Sequence, residues 1–270
     1  MLISISHLTR YTLAAPAHYS IQCVRLTPPA FDGQKVVSWA IEMPHIDKAV
    51  TFRDSFGNIA HLVAIPEPHE AIAILARGTV ETTDRSGFAR GLVEVAPPRV
   101  YKRETPVTAP DDAIRLLACA ITGKDPIDRM HGLMDAVHER IKYVVGATRE
   151  HTTAGEALKA GKGVCQDHAH VFIAAARVLG HPARYVNGYF VTDQETPAEA
   201  HHAWAEVHLE GLGWLGFDPA NRLCPTDRYV RLACGLDSGS AAPIRGTRRG
   251  GVDEVLDVVV EVQQQSAAQQ

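Results

Sequence analysis

Apolar and polar positions alternate along the first hundred residues. The runs LISISHLTRYTL from Leu2, VVSWAIEMP from Val36, IAHLVAIP from Ile59 and ARGTVETTD from Ala76 alternate or carry β-branched side chains. Side chains of a strand point to opposite faces in turn, so each run predicts a half-buried strand. Turn signals cut them apart at Pro28-Pro29, Asp32-Gly33, Gly57-Asn58 and Pro97-Pro98, and Phe56-Gly57-Asn58 reads as a hairpin tip. Residues 1–98 are therefore expected to form a β-rich module, a small antiparallel sandwich or barrel.

The period changes after Pro98. Residues 99–110, with Pro106 and Pro110, read as a linker, and DDAIRLLACAIT from Asp111 opens a helical pattern. A second helix is predicted near 126–142, where Ile127, Met130, Leu133, Met134, Val137 and Ile141 recur at helical spacing and mark core. Thr153 is placed to cap the short helix AGEALKA. Gly161 and Gly163 then break the chain. A further helix is expected from Cys165 to Leu179, with Ala169, Phe172, Ile173, Ala176 and Leu179 as its apolar stripe and Gly180 as its stop. ARYVNGYFV, HAWAEVHLE and GWLGFDPA read as strands, the last two joined by a tight turn near Gly211. Residues 235–250 read as a loop, DEVLDVVVEV as a final strand, and 263–270 as a disordered tail. The fold class is α+β: a core over 99–262 preceded by the β-rich module.

Composition narrows the class without naming a function. The chain has 270 residues, 46% hydrophobic and 21% charged, as in an ordinary globular protein. A net charge of −4 argues against a nucleic-acid partner. The longest apolar runs, VFIAAA and VLDVVVEV, fall well short of the roughly 20 residues of a membrane-spanning helix. The start of the chain lacks a basic segment followed by an apolar run, so no secretory signal is read and a cytoplasmic location is expected. The five cysteines, Cys23, Cys119, Cys165, Cys224 and Cys234, are odd in number and include no C-x-x-C pair, which fits reduced thiols.

Cys165 stands out by position. It opens a predicted helix just after a glycine-rich break, where unpaired N–H groups and the helix dipole favour a thiolate and can hold an oxyanion. His202, Trp204 and Glu206 share one face of their strand, and Trp214, Gly216 and Asp218 share one face of the next. If the hairpin is centred near Gly211, Asp218 lies across from Trp204. His202 is then its diagonal neighbour, about 7–8 Å away between backbones. In that register Asp218 orients His202, and His202 exchanges a proton with Cys165. Lower-ranked candidates are Gln166 for the oxyanion, Trp204 and Trp214 as groove linings that are more often core, and Tyr143 facing the cleft. His201 faces away from His202 and is expected to be structural or exposed. Five histidines gather here, His168, His170, His201, His202 and His208, without a metal-binding spacing, so no metal site is expected.

The segments GKGVCQDHAH, GHPARYVNGYF, HAWAEV and GWLGFDPA resemble, in order and spacing, the core of the transglutaminase-like superfamily. The tyrosine of LTRYTL, the VRLTPP segment and the DSFGN turn resemble the β-rich module that precedes this core in many bacterial members. The resemblance implies a papain-like core with Cys165, His202 and Asp218 as catalytic triad, acting without a cofactor by acyl transfer on amide bonds of a peptide or protein. His168 stands where an aromatic residue is expected. It is placed to pack, to tune the thiol or to contact substrate. Peptide or isopeptide hydrolysis is the preferred reading, with glutamine–amine transamidation as the alternative. A non-catalytic binding module is the reading of a different class. Oligomeric state is not legible.

Overall fold

A computed structural model describes residues 1–192 and 201–265. The opening alternation becomes one long strand, β1 (Leu2–Val24), with Ile3, Ile5, His7 and Thr9 buried and the residues between them turned outward. The rest of the N-terminal region folds into β2 (Gln34–Glu42), β3 (Val50–Arg53), β4 (Ile59–Ile65) and β5 (His69–Thr82). β4 and β5 pair antiparallel with successive stretches of β1, acting as one interrupted strand along its edge. β3 and β2 extend the sheet beyond them in the same way. The Phe56-Gly57-Asn58 tip forms. Asp54 Oδ1 accepts from the backbone N–H of Phe56 at 2.9 Å and of Asn58 at 3.0 Å. Gly57 adopts φ 86°, a region that strains any side chain.

The core follows as α1 (Asp112–Cys119), α2 (Pro126–Arg140), β6 (Lys142–Tyr143), α3 (Ala154–Ala160), β7 (Lys162–Gly163), α4 (Cys165–Val178), β8 (Ala183–Phe190), β9 (His201–Leu209), β10 (Gly213–Phe217) and β11 (Tyr229–Gly235). Its helix starts are capped as their sequences demand. Asp111 Oδ1 accepts from Ile114 N–H at 2.9 Å, and Thr153 and Glu156 form a capping box. β10, β9, β8 and β11 make an antiparallel sheet in that order. One face carries Ala203, Ala205, Val207, Leu215 and Phe217 into a core shared with the helices. Beyond the sheet, Tyr189, Val191, Val230 and Leu232 pack against Ile3, Ile5, Ile74 and Val80 of the N-terminal sheet. Helices, core sheet and N-terminal sheet thus form three layers.

α4 buries more than its expected apolar stripe, since every residue from Asp167 to Arg177 is buried. It lies between α1, α2 and α3 on one side and β8 and β9 on the other. Residues 235–250 are not simply a loop. β12 (Ile244–Val252) and β13 (Val255–Gln264) both pair antiparallel with β1, on the edge opposite β4 and β5. These strands therefore extend the N-terminal sheet rather than the 99–262 core. The strand also runs past the expected boundary, to Gln264, and Gln265 N–H bonds the Leu2 carbonyl at 2.8 Å. A strand as long as β1 has two edges of N–H and C=O groups that must find partners. The remainder of the expected tail lies outside the described residues.

Candidate active site

The start of α4 is held from three directions. β7 pairs with β6 just before it, and the Val144 N–H reaches the Gly163 carbonyl at 2.8 Å. Asp167, in the first turn, folds back so that its Oδ2 accepts from Val164 N–H at 2.7 Å and from the Thr148 hydroxyl at 2.6 Å. A Cβ on Gly163 would lie 2.6–2.8 Å from the Asp167 side chain, so this close approach requires glycine. Cys165 follows as the first helical residue, half-buried and in no disulfide. The N–H groups of Cys165 and Gln166 belong to the helix end that has no intrahelical acceptor.

The register of β9 and β10 brings the other two predicted residues together. Trp214 pairs with His208 and Phe217 with Ala205, around a tip at 210–212 in which Gly211 takes φ 76°. Continued by one residue, that register sets Asp218 opposite Trp204. His202 reaches back along the diagonal, and its Nε2 lies 2.7 Å from Asp218 Oδ2. Cys165 lies close enough to the His202 ring to help hold its positive charge. With Nε2 occupied by Asp218, Nδ1 is the nitrogen left for the thiol.

Asp218 is completely buried and has a dense set of donors. Oδ1 accepts from the N–H of Ala220 at 3.0 Å and Asn221 at 3.2 Å. Oδ2 accepts from Asn221 Nδ2 at 2.8 Å and the Tyr229 hydroxyl at 2.6 Å. Burial alone would raise its pKa. The His202 charge and these hydrogen bonds outweigh burial and hold it below the usual carboxylate value. Burial likewise acts to lower the pKa of His202, but the Asp218 charge, with Cys165 adding to it, pushes it up to about 10. The site is organised to hold an imidazolium beside a carboxylate at neutral pH.

Asn221 and Tyr229 were missed by the sequence reading. The Asp-Pro-x-Asn spacing is a signal for an Asx-type turn and would have found Asn221. Tyr229 arrives from β11 and has no local signal. Phe190 and Trp204 complete the surroundings of His202, with ring centroids 5.5 and 6.5 Å from it. Trp204 is buried against Val186 and Tyr229 and backs the imidazole. Gly188, paired with His202, has no room for a side chain, since a Cβ would stand 2.7 Å from the Trp204 ring.

The remaining candidates separate. Gln166 Nε2 donates to the Glu150 carbonyl at 3.2 Å, which ties its side chain to the neighbouring loop. Tyr143 is exposed on β6 and stacks with His168, centroids 6.2 Å apart. Trp214 packs on Tyr101 under the Arg184 guanidinium. His201 turns toward the N-terminal sheet and meets His7, with centroids 5.6 Å apart. Cys234 is buried, and burial raises the Cys224 thiol to about 11.

His168 is buried one turn beyond Cys165, with Nδ1 2.9 Å from the Val164 carbonyl and Nε2 2.9 Å from the Ile141 carbonyl. It ties the residue before Cys165 to the end of α2. Replacing it with phenylalanine leaves the Ile141 carbonyl short of a donor, at a cost of about 1–3 kcal/mol, while the Val164 carbonyl still accepts from the N–H groups of Asp167 and His168. The His168→Phe protein is expected to lose about 1–3 kcal/mol in denaturant unfolding, while Cys165 alkylation in the folded protein falls less than tenfold. A collapse of alkylation without loss of stability would instead assign His168 a direct chemical role.

The sequence profile of the transglutaminase-like superfamily matches residues 117–219, and that of the bacterial transglutaminase-like N-terminal region matches residues 3–81. An uncharacterised protein of Mycobacterium leprae is 28% identical, covering 96% of this chain and 97% of its own. An uncharacterised protein of Mycobacterium tuberculosis is 29% identical over 96% of this chain and 91% of its own. The crystal structure of a candidate cysteine protease from Cytophaga hutchinsonii superposes with a TM-score of 0.73 at 21% identity, covering 98% of this chain and 92% of that one. This last likeness is one of fold. Among the described residues no helix is long and apolar enough to cross a membrane.

Proposed function

Because the chain belongs to the transglutaminase-like superfamily, we propose that it is a cysteine-dependent acyl-transfer enzyme with Cys165, His202 and Asp218 as catalytic triad. The observation that carries this reading is the buried 2.7 Å bond from His202 Nε2 to Asp218, with Cys165 close enough to act on the charge of the same ring. In the proposed reaction the Cys165 thiolate attacks an amide carbonyl. The N–H groups of Cys165 and Gln166 receive the oxyanion. His202 gives its proton to the departing amine as the C–N bond breaks, leaving an acyl-thioester. His202 then takes a proton from water, the hydroxide resolves the thioester, and the thiolate returns. This chemistry requires no cofactor.

The preferred reaction is hydrolysis of a peptide or isopeptide bond in a peptide or protein. The description of the Cytophaga hutchinsonii relative points the same way. Transamidation uses the same triad with an amine in place of water. A cytoplasmic location belongs to the same proposal and is supported by five unpaired cysteines.

The test is alkylation by iodoacetamide, mapped by peptide mass spectrometry over a pH series, on the wild type and His202→Ala. Rapid modification of Cys165 alone, persisting well below pH 8 and lost in the variant, is the expected result. Slow and equal modification of all accessible cysteines would return the chain to the binding-module reading. Peptide cleavage without added amine then separates hydrolysis from transamidation, in which ammonia release rises strictly with added amine.

A further inference from the structure

Among the described residues nothing pairs with the outer edge of β12 and β13. That ribbon also carries Val252, Val255, Leu256, Val258 and Val259, between 42% and 65% exposed. An open apolar edge is a template for another strand, and proteins usually protect it with scattered charge, proline or a covering loop. Here the charges are sorted. β12 carries Arg245, Arg248 and Arg249 and no acid, whereas β13 carries Asp257 and Glu261 and no base. Arg248 pairs with Glu254 inside the ribbon. Arg245, Arg249, Asp257 and Glu261 all point to the exposed side.

We infer that this edge joins two copies of the chain, β12 of one lying antiparallel to β13 of the other about a two-fold axis. A two-fold contact must be self-complementary, and an edge that is basic in one half and acidic in the other has that property. A single register sets Arg245 opposite the partner's Glu261 and Arg249 opposite the partner's Asp257. These four residues share one face of the sheet. Across β1 they pair with Cys23, Tyr19, Arg10 and Ser6, which lie on its outward side. The same register centres on Asp253, so the exposed valines and Leu256 flank the axis. Gly250, Gly251 and Asp253 have φ of 81°, 75° and 51°, and the paired ladders are the regular segments on either side of that bend. A foreign strand would have to match both halves of the charge pattern, which a second copy does by symmetry.

The test is molecular mass by sedimentation over a concentration series. The wild type is expected to be a dimer. Arg245→Glu with Arg249→Glu makes the whole edge acidic, and Asp257→Lys with Glu261→Lys makes it basic. Each double variant is expected to be monomeric, and an equimolar mixture should regain a heterodimer. Retained iodoacetamide labelling of Cys165 reports that the variants are folded. Should they fail to fold, Asp253→Cys supplies the second measurement: with diamide as oxidant, a disulfide-linked dimer should form at dilutions where the wild type forms none. A monomeric wild type at every concentration, a dimer indifferent to both charge reversals, or no cross-link through Cys at position 253 would overturn the inference.

Discussion

Asp218→Asn is expected to lower peptide hydrolysis, measured as kcat/KM, by about 10²–10⁴-fold, the range associated with losing an effective acid–base group. Asparagine preserves the size of the side chain and an acceptor for the Ala220 and Asn221 N–H groups. It removes the charge that holds His202 up at about 10 against the opposing effect of burial. Without that charge burial prevails, and the pKa of His202 falls to its ordinary value near 6.5 or below. At pH 7 the ring is then mostly neutral and can neither balance a Cys165 thiolate nor protonate the leaving amine. The alkaline limb of the pH–rate profile should move from near pH 10 in the wild type to below about pH 7 in the variant.

The same pair sets a stability window. His202 is raised, so its contribution is complete below its unfolded value near 6.5 and is lost as pH rises through about 10. Asp218 is lowered, so its contribution is present above its unfolded value near 3.9 and is lost as pH falls through the folded one. Asp218→Asn should flatten both slopes in denaturant titrations. A variant with an unchanged rate and an unchanged alkaline limb would refute the triad assignment.

The second large effect is on folding. Glu206 is buried on the same strand face as His202 and lies between two arginines, 2.6 Å from Arg184 Nε and 3.0 Å from Arg231 Nε. Arg184 also contacts Glu94 and sits 3.8 Å above the Trp214 ring. Burial acts against all these charges. The two guanidinium groups nevertheless hold Glu206 well below the ordinary carboxylate range, at about 2. Glu206→Gln leaves two buried cations without their shared anion, an event that costs about 3–5 kcal/mol. With about 2–4 °C per kcal/mol for chains of this class, the melting temperature should fall by roughly 10 °C. Cys165 labelling well below the transition should survive. Combining Glu206→Leu with Arg184→Met and Arg231→Leu should be milder than the single change, because no buried charge is then left unpaired. A shift below about 1 kcal/mol in the single variant would mean that water or Glu94 already neutralises the arginines.

Much of this was written locally. The Cys165 helix start follows from Gly161, Gly163 and the apolar run beyond them, and the Thr153 cap from Thr-x-x-Glu. The sequence offers the β9–β10 register only as a condition on the turn near Gly211; the tip at 210–212 meets it and places His202 and Asp218 on one face, because side chains alternate strictly along a strand. These features depend on neighbours within some 16 residues, so period, caps and turns determine them. The tertiary structure decided what depends on distant partners. Tyr229 reaches Asp218 only because β11 pairs with β8. His168 reads as an aromatic substitute until its ring is seen bridging Val164 and Ile141. β12 and β13 join β1 across more than two hundred residues, where hydrogen-bonding edges are generic and the segment that fills them is chosen by the packing of the whole. For the same reason Glu206 reads in the sequence as an ordinary polar strand residue, and only the fold buries it between two arginines.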